Sequence, residues 1–100
     1  MAVFTWAEWK DRINRQKHGL SFSEITDVFD DPYLIEFYDK AHSGVGDERY
    51  ICLGRWQDFT VLSVVFTEMD GDIHLISARE ATPREMHIYE ENYRRETGGN

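Results

Sequence analysis

Two runs in the middle of this chain, "FTVLSVVFT" at residues 59–67 and "DIHLISAR" at residues 72–79, limit what it can become. Both are rich in β-branched and aromatic residues and alternate over much of their length, the period of a strand and not of a helix. They are joined through "EMDGD", whose Asp-Gly pair suits a tight reversal. The chain must therefore hold an antiparallel hairpin, and the remaining segments have to cover it.

Pairing Glu68 with Asp72 leaves a three-residue loop, Met69-Asp70-Gly71, with Gly71 at the position that wants a positive φ. Thr67 then opposes Ile73, Ser63 opposes Ser77, and Val61 opposes Arg79. One face carries Leu62, Val64 and Phe66 beside His74, Ile76 and Ala78, so His74 is expected to be buried among apolar neighbours. The other carries Ser63, Thr67, Ser77 and Arg79 among Val61, Val65, Ile73 and Leu75. A slip of one residue would mix the two sets. Two shorter strand-like segments precede the hairpin. "YLIEFY" reads as an edge strand. "RYICLGRW" places Arg49, Ile51, Leu53 and Arg55 on one face, and if that face also bears Arg79, several cations border one concave surface.

Helices flank these strands, each announced by Ser or Thr followed three residues later by Glu. Thr5 with Glu8, Ser21 with Glu24, and Thr82 with Glu85 form three capping boxes, each satisfying amides at a helix start. Trp6, Trp9 and Ile13 recur at helical spacing after the first, and Gly19 stops it. Leu20 and Ile25 form a hydrophobic staple around the second, which buries Phe22, Ile25, Val28 and Phe29. Pro83 sits at the first position of the third, where its missing amide costs nothing. Met86, Tyr89 and Tyr93 mark its inner stripe. The order α-α-β-β-β-β-α predicts one small α+β domain. It has two N-terminal helices, an antiparallel sheet of three to four meandering strands, and a C-terminal helix. Residues 1–95 form the domain, and residues 96–100 form a disordered tail.

Aromatics at 14% exclude wholesale disorder, and one cysteine excludes a disulfide framework or a cysteine-rich zinc site. Cys52, in the middle of a strand, is expected to be a buried small residue in a reduced compartment. "MAVFTWAEWK" lacks the basic start and apolar run of a signal peptide, and no stretch approaches membrane-spanning length, so a cytoplasmic, soluble protein without membrane contact is expected. A net charge of −8 argues against nucleic-acid binding through a broad basic surface. It leaves room for a small cationic cleft, because Lys10, Arg12, Arg15 and Lys17 cluster against Asp11 alone while most acidic residues follow Ser23. No HExxH or close histidine pair suggests a metal, and "SGVGDE" lacks the context of a phosphate-binding loop.

The ordered fragments "W…K.RIN..KHGLSF.E…VF.DP", "ER…LGR", "VVFTE" and "ISAREATPRE…Y", spread from Trp6 to Tyr89, resemble the BrnT toxin family. The resemblance implies a RelE-like fold and an endoribonuclease of a type II toxin–antitoxin system. The partner it implies is a BrnA-like antitoxin with a ribbon-helix-helix domain, operator DNA being reached only through that antitoxin. It further implies RNA as substrate, no cofactor, and cleavage without a metal by attack of the ribose 2′-hydroxyl on the adjacent phosphorus.

Such chemistry needs a proton acceptor, a proton donor and fixed positive charge at the phosphoryl oxygens. Arg79, at a strand end just before a helix start, is the first candidate for a phosphate clamp. Arg49 and Arg55 are candidates for a second. Lys17 and His18 close the first helix, where cations also favour the helix dipole, and both are candidates to touch RNA. His18 leads for proton transfer and His42, in the polar loop, follows. The Tyr89 hydroxyl is placed to reach the sheet. An alternative function is a catalytically weak or inactive relative, an interaction module that works as co-repressor with a ribbon-helix-helix protein.

Overall fold

The computed structural model describes residues 3–98. Five strands form one mixed sheet in the order β1-β5-β4-β3-β2. They are β1 (Phe4–Trp6), β2 (Ile35–Tyr38), β3 (Tyr50–Trp56), β4 (Thr60–Met69) and β5 (Asp72–Glu80). Between β1 and β2 lie α1 (Glu8–His18) and α2 (Phe22–Ile25), the second continuing as a 3-10 turn over Thr26–Asp30. A further 3-10 turn, Lys40–His42, follows β2, and α3 (Pro83–Glu96) comes after β5.

The antiparallel three- to four-stranded sheet expected from the sequence is corrected here, and with it the RelE-like arrangement. β1 adds a fifth strand, parallel to β5, with Thr5 beside His74 and Trp6 beside Leu75. Thr5 is therefore a strand residue and caps nothing. α1 starts at Glu8 with no side-chain cap, and Thr5 Oγ1 lies 2.8 Å from His74 Nδ1 in a hydrogen bond. The cause is the alternation of Phe4 and Trp6 around Thr5. Phe4 packs on Phe29 with ring centroids 5.3 Å apart, and Trp6 meets Phe22 edge-on at 6.1 Å. Burying two aromatic rings is worth several times the roughly 1 kcal/mol of a helix cap. The other two capping boxes form as the sequence predicts, at Ser21–Glu24 and Thr82–Glu85.

The β4–β5 register also differs. Met69 pairs with Asp72, leaving the two-residue loop Asp70-Gly71 with φ of 53° and 86°. Both central residues are left-handed, as the tightest hairpin turn demands, and Asp-Gly tolerates this best. A bulge then interrupts the ladder: Phe66 pairs with Leu75, but Val65 pairs with Ser77, so Ile76 is an extra residue. The bulge puts Leu75 and Ala78 on the same side as Val64 and Phe66, and all four are fully buried. Strict alternation allows no such spacing. His74, expected among apolar side chains, is turned to the opposite face beside Thr67.

The main core lies between the first sheet face and α2 with its 3-10 continuation. Leu20, Phe22, Ile25 and Val28 close on Cys52, Leu62, Val64, Phe66, Leu75 and Ala78. At Gly54 in β3, a Cβ would stand 2.7 Å from Leu34 Cδ1 and 3.0 Å from the Val28 carbonyl oxygen, so glycine lets the 3-10 turn lie directly on the strand. A smaller core of Leu53, Val61 and Tyr89 lies under α3 on the other face.

α1 does not bury the predicted stripe. Trp9 is 55% exposed and Ile13 42%, whereas the buried positions are Asp11 and Asn14. Asp11 accepts a hydrogen bond from the Phe22 amide at 2.8 Å, satisfying a free N–H at the start of α2. Asn14 accepts from the Ala78 amide at 2.9 Å and donates to the Leu20 carbonyl at 2.9 Å. The edge of β5 beyond the short β1 is thus closed by a helix side chain. At the other end α3 runs to Glu96, and Thr97 Oγ1 donates to the Tyr93 carbonyl at 2.8 Å. Residues 99–100 of the expected tail, and the first two residues of the chain, lie outside the described part.

Candidate active site

The second sheet face is only half covered. Pairing sets Leu53, Ser63 and Arg79 in one row and Ile51, Val65 and Ser77 in the next, so the Arg79 face coincides with that of Ile51 and Leu53. α3 lies over the Leu53 end. Ile51, Val65, Ile76 and Ser77 remain partly exposed. α1 borders this open half and forms with β5 a cleft of about 250 Å³, lined by Trp9, Lys10, Ile13, Asn14, Lys17, His18, Ile76 and Ser77. The exposure of Trp9 and Ile13 is thereby explained: they wall a cleft instead of entering the core. Lys17 and His18 reach it because α1 ends there, at Gly19 with φ 71°.

Arg79 stands two residues beyond Ser77 on the same face. Its Nη1 donates to Glu85 Oε1 at 2.7 Å and to the Glu80 carbonyl at 3.1 Å, and its Nη2 donates to Glu85 Oε2 at 3.1 Å. Glu85 Oε1 also accepts from the Thr82 amide at 2.9 Å, so one carboxylate both caps α3 and grips the guanidinium. The Arg79 hydrogen bonds hold the Glu85 carboxyl below its ordinary value of 4.5, against burial, with the Thr82 amide assisting. A carboxyl whose pKa is lower in the folded state stabilises the fold above the unfolded value and loses that contribution as pH falls through the folded one. The melting temperature should accordingly decline as the pH falls through and below the ordinary carboxylate range, and Glu85→Gln should flatten that decline. Thermal melts across this range check it.

The other predicted cations do not join this group. Arg49 precedes β3, four residues from Leu53, hence about 13 Å along the strand direction from the Arg79 row. Its Nη2 lies 3.5 Å from Asp47 Oδ2, and its Nε is buried without a hydrogen-bond partner. His42 is in the 3-10 turn after β2, with Nδ1 3.0 and 3.1 Å from the two Asp39 carboxylate oxygens. Arg55 lies with its guanidinium 5.5 Å from the Tyr93 ring centre. Tyr89 is 2% exposed, and its hydroxyl donates to Asp31 Oδ2 at 2.5 Å. Burial, then that hydrogen bond, pushes its ionisation well up. Three groups result: Lys17, His18 and Arg79 near the α1–β5 cleft; Arg49 and His42 beyond the start of β3; Arg55 and Tyr89 around Asp31.

Asp31, Asp11 and Asn14 were not singled out from the sequence. Asp31 accepts from the Tyr33 amide at 2.9 Å and the Arg55 amide at 2.7 Å as well as from Tyr89, tying β3 to α3. Its signal was "DP", a motif legible as a loop but not as a hub. Cys52 is fully buried, and burial, then the Glu36 charge, pushes its thiol up to about 12, which leaves it no nucleophilic role. A wider concavity of about 500 Å³ lies among Gly46, Asp47, Glu48, Tyr50, Thr67, Glu68 and Met69. Its three carboxylates repel phosphate, so volume does not locate the site. Among the described residues no group of three or more His, Cys, Asp and Glu side chains is arranged to hold a metal ion, and no helix is long and apolar enough to cross a membrane.

Fold and cleft together define a class, small α+β domains with a half-covered mixed sheet and a cleft bordered by cations. The structure is similar to the crystal structure of the Brucella abortus ribonuclease toxin, BrnT, with a TM-score of 0.67 and 25% sequence identity. The similarity covers 82% of this chain and 99% of that one. Residues 6–85 match the family described as the ribonuclease toxin BrnT of type II toxin–antitoxin systems. The chain belongs to that family, and membership implies an antitoxin partner. No curated protein matches it.

Proposed function

We propose that the chain is an endoribonuclease toxin that cleaves RNA without a metal, the ribose 2′-hydroxyl attacking the adjacent phosphorus. RNA lies on the open half of the second sheet face. Lys17 attracts the backbone, Arg79 holds the scissile phosphate, and His18 transfers a proton. Arg49, Arg55 and His42 lie further out, where they reach flanking nucleotides, and Tyr89 supports the face through Asp31. The partner is a BrnA-like antitoxin with a ribbon-helix-helix domain, and operator DNA is contacted only through it. One observation carries this reading. The cations at the end of α1 and the end of β5 flank the same uncovered, partly apolar sheet surface, although the chain as a whole is acidic.

The second reading, a weak or inactive relative acting as co-repressor, is favoured by the bidentate grip of Glu85 on Arg79, which is what a purely structural ion pair would also show. Induction of wild type, Lys17→Ala and Arg79→Ala in a host lacking the antitoxin separates the two. Growth arrest with fragmented total RNA is expected for wild type, and its weakening in both variants. Intact RNA during arrest, or equal harmlessness of all three, overturns the nuclease.

A further inference from the structure

The Arg79–Glu85 pair contains more than a salt bridge, once the guanidinium is counted donor by donor. Arginine has five N–H donors. Nη1 uses both of its own, on Glu80 O and Glu85 Oε1, and Nη2 uses one on Glu85 Oε2. Two remain, Nε–H and the second Nη2–H. They lie side by side on the edge of the planar group opposite the Glu80 contact, and no protein acceptor bonds them among the described residues. Such an edge matches two non-bridging phosphate oxygens. The side chain is 39% exposed, and its Nε, unlike that of Arg49, is not a buried atom, so that edge can be reached.

We propose that Glu85 is a positioning residue, holding one edge of the Arg79 guanidinium so that the opposite edge, Nε–H with the free Nη2–H, is presented as a fork to the scissile phosphate. The proposal rests on the nuclease reading above and assigns Glu85 no contact with RNA. Its carboxylate is well suited to the task because it is itself immobile. It is 21% exposed, and the Thr82 amide at the start of α3 fixes one of its oxygens. Only Ala81 and Thr82 separate β5 from α3, so the helix start is rigidly tied to the strand end. The path of restraint runs from helix cap to carboxylate to guanidinium. A free arginine samples many rotamers, and one aimed before substrate arrives spares that cost at the transition state.

The opposite hypothesis is that Glu85 blocks Arg79 by occupying it, and the two separate cleanly. Glu85→Gln keeps the cap, since glutamine also serves at that position, but removes the paired charge and the double acceptor. Using purified full chain and an end-labelled single-stranded RNA, kcat should fall about tenfold or more as the fork loses its aim. KM should stay level or drop, because a negative charge has left the neighbourhood of a polyanion. In an Arg79→Lys background, which has no fork to aim, the same change should alter kcat by less than about twofold. A kcat at or above wild type in Glu85→Gln, or an equal penalty in both backgrounds, overturns the proposal. Wild type that cleaves no RNA sinks this role and the nuclease reading together. Cleavage that depends on Arg79 but not on Glu85 sinks this role alone.

Discussion

Asp31→Ala should destabilise the fold by about 3–4 kcal/mol, because it removes three hydrogen bonds to one carboxylate, each worth roughly 1–3 kcal/mol and not fully additive. The three donors belong to separate parts of the chain: the Tyr33 amide before β2, the Arg55 amide in β3 and the Tyr89 hydroxyl in α3. Tyr89 is the most sensitive, since its ring is buried and an orphaned hydroxyl there pays the full desolvation cost. For a domain of this size the melting temperature should drop by about 15–25 °C. Asp31→Asn should recover part of the loss, because an amide oxygen still accepts one or two of the donors. Tyr89→Phe should cost only about 1–2 kcal/mol, and combined with Asp31→Ala it should add much less than that. Urea unfolding of the four proteins measures the coupling. Fully additive losses would show that Asp31 and Tyr89 are held independently, and the hub would be an artefact of proximity.

Asp31 also illustrates how much of this molecule was legible in its sequence. Features carried by a local signal came through: the strands of the hairpin, the Ser21–Glu24 and Thr82–Glu85 caps, Pro83 at a helix start, and the buried Cys52. Features that depend on contacts distant in the chain did not. β1 pairs with a strand some seventy residues away, and its three residues carry a capping signature that a short alternation of aromatics overrides. The Ile76 bulge has no composition cue, yet it decides the face on which His74 stands. Asp11, Asn14 and Asp31 resemble surface residues in any local window, because each is fixed by a backbone amide outside its own element, that of Phe22, Ala78 and Arg55.

For the candidate site the division is the same. Arg79 was legible as a cation at the end of a strand on the mixed face, and Lys17 with His18 as the end of a helix. Their approach to one sheet surface depends on the Asn14–Ala78 contact, which docks α1 one residue from Arg79. Arg49 and Arg55 shared the expected face, but the length of β3 sets them at opposite ends of it, so the expectation that several cations border one concave surface rested on register without distance. Sequence periodicity reports which side a residue faces and says little about how far apart two such residues end up.

Arg79→Ala provides the sharpest contrast between stability and function. As a structural pair, Arg79 and Glu85 are partly exposed, and solvent screening limits the loss of the pair to about 1 kcal/mol of folding stability. As a phosphate clamp, loss of the guanidinium should lower the cleavage rate by about 10²–10³-fold, equivalent to about 3–4 kcal/mol of transition-state stabilisation. The two figures differ enough to be told apart in one preparation, by measuring melting temperature and single-turnover cleavage side by side. Arg79→Lys should lie between, keeping the charge without the fork. Lys17→Ala, on the rim of the cleft, should act mainly through KM and lose its effect as salt is raised, because a screened backbone contact supplies affinity and not transition-state charge. If Arg79→Ala instead cleaves within a few-fold of wild type and loses only stability, the guanidinium belongs to the helix cap alone, and the catalytic charge must come from Lys17, which lines the α1–β5 cleft.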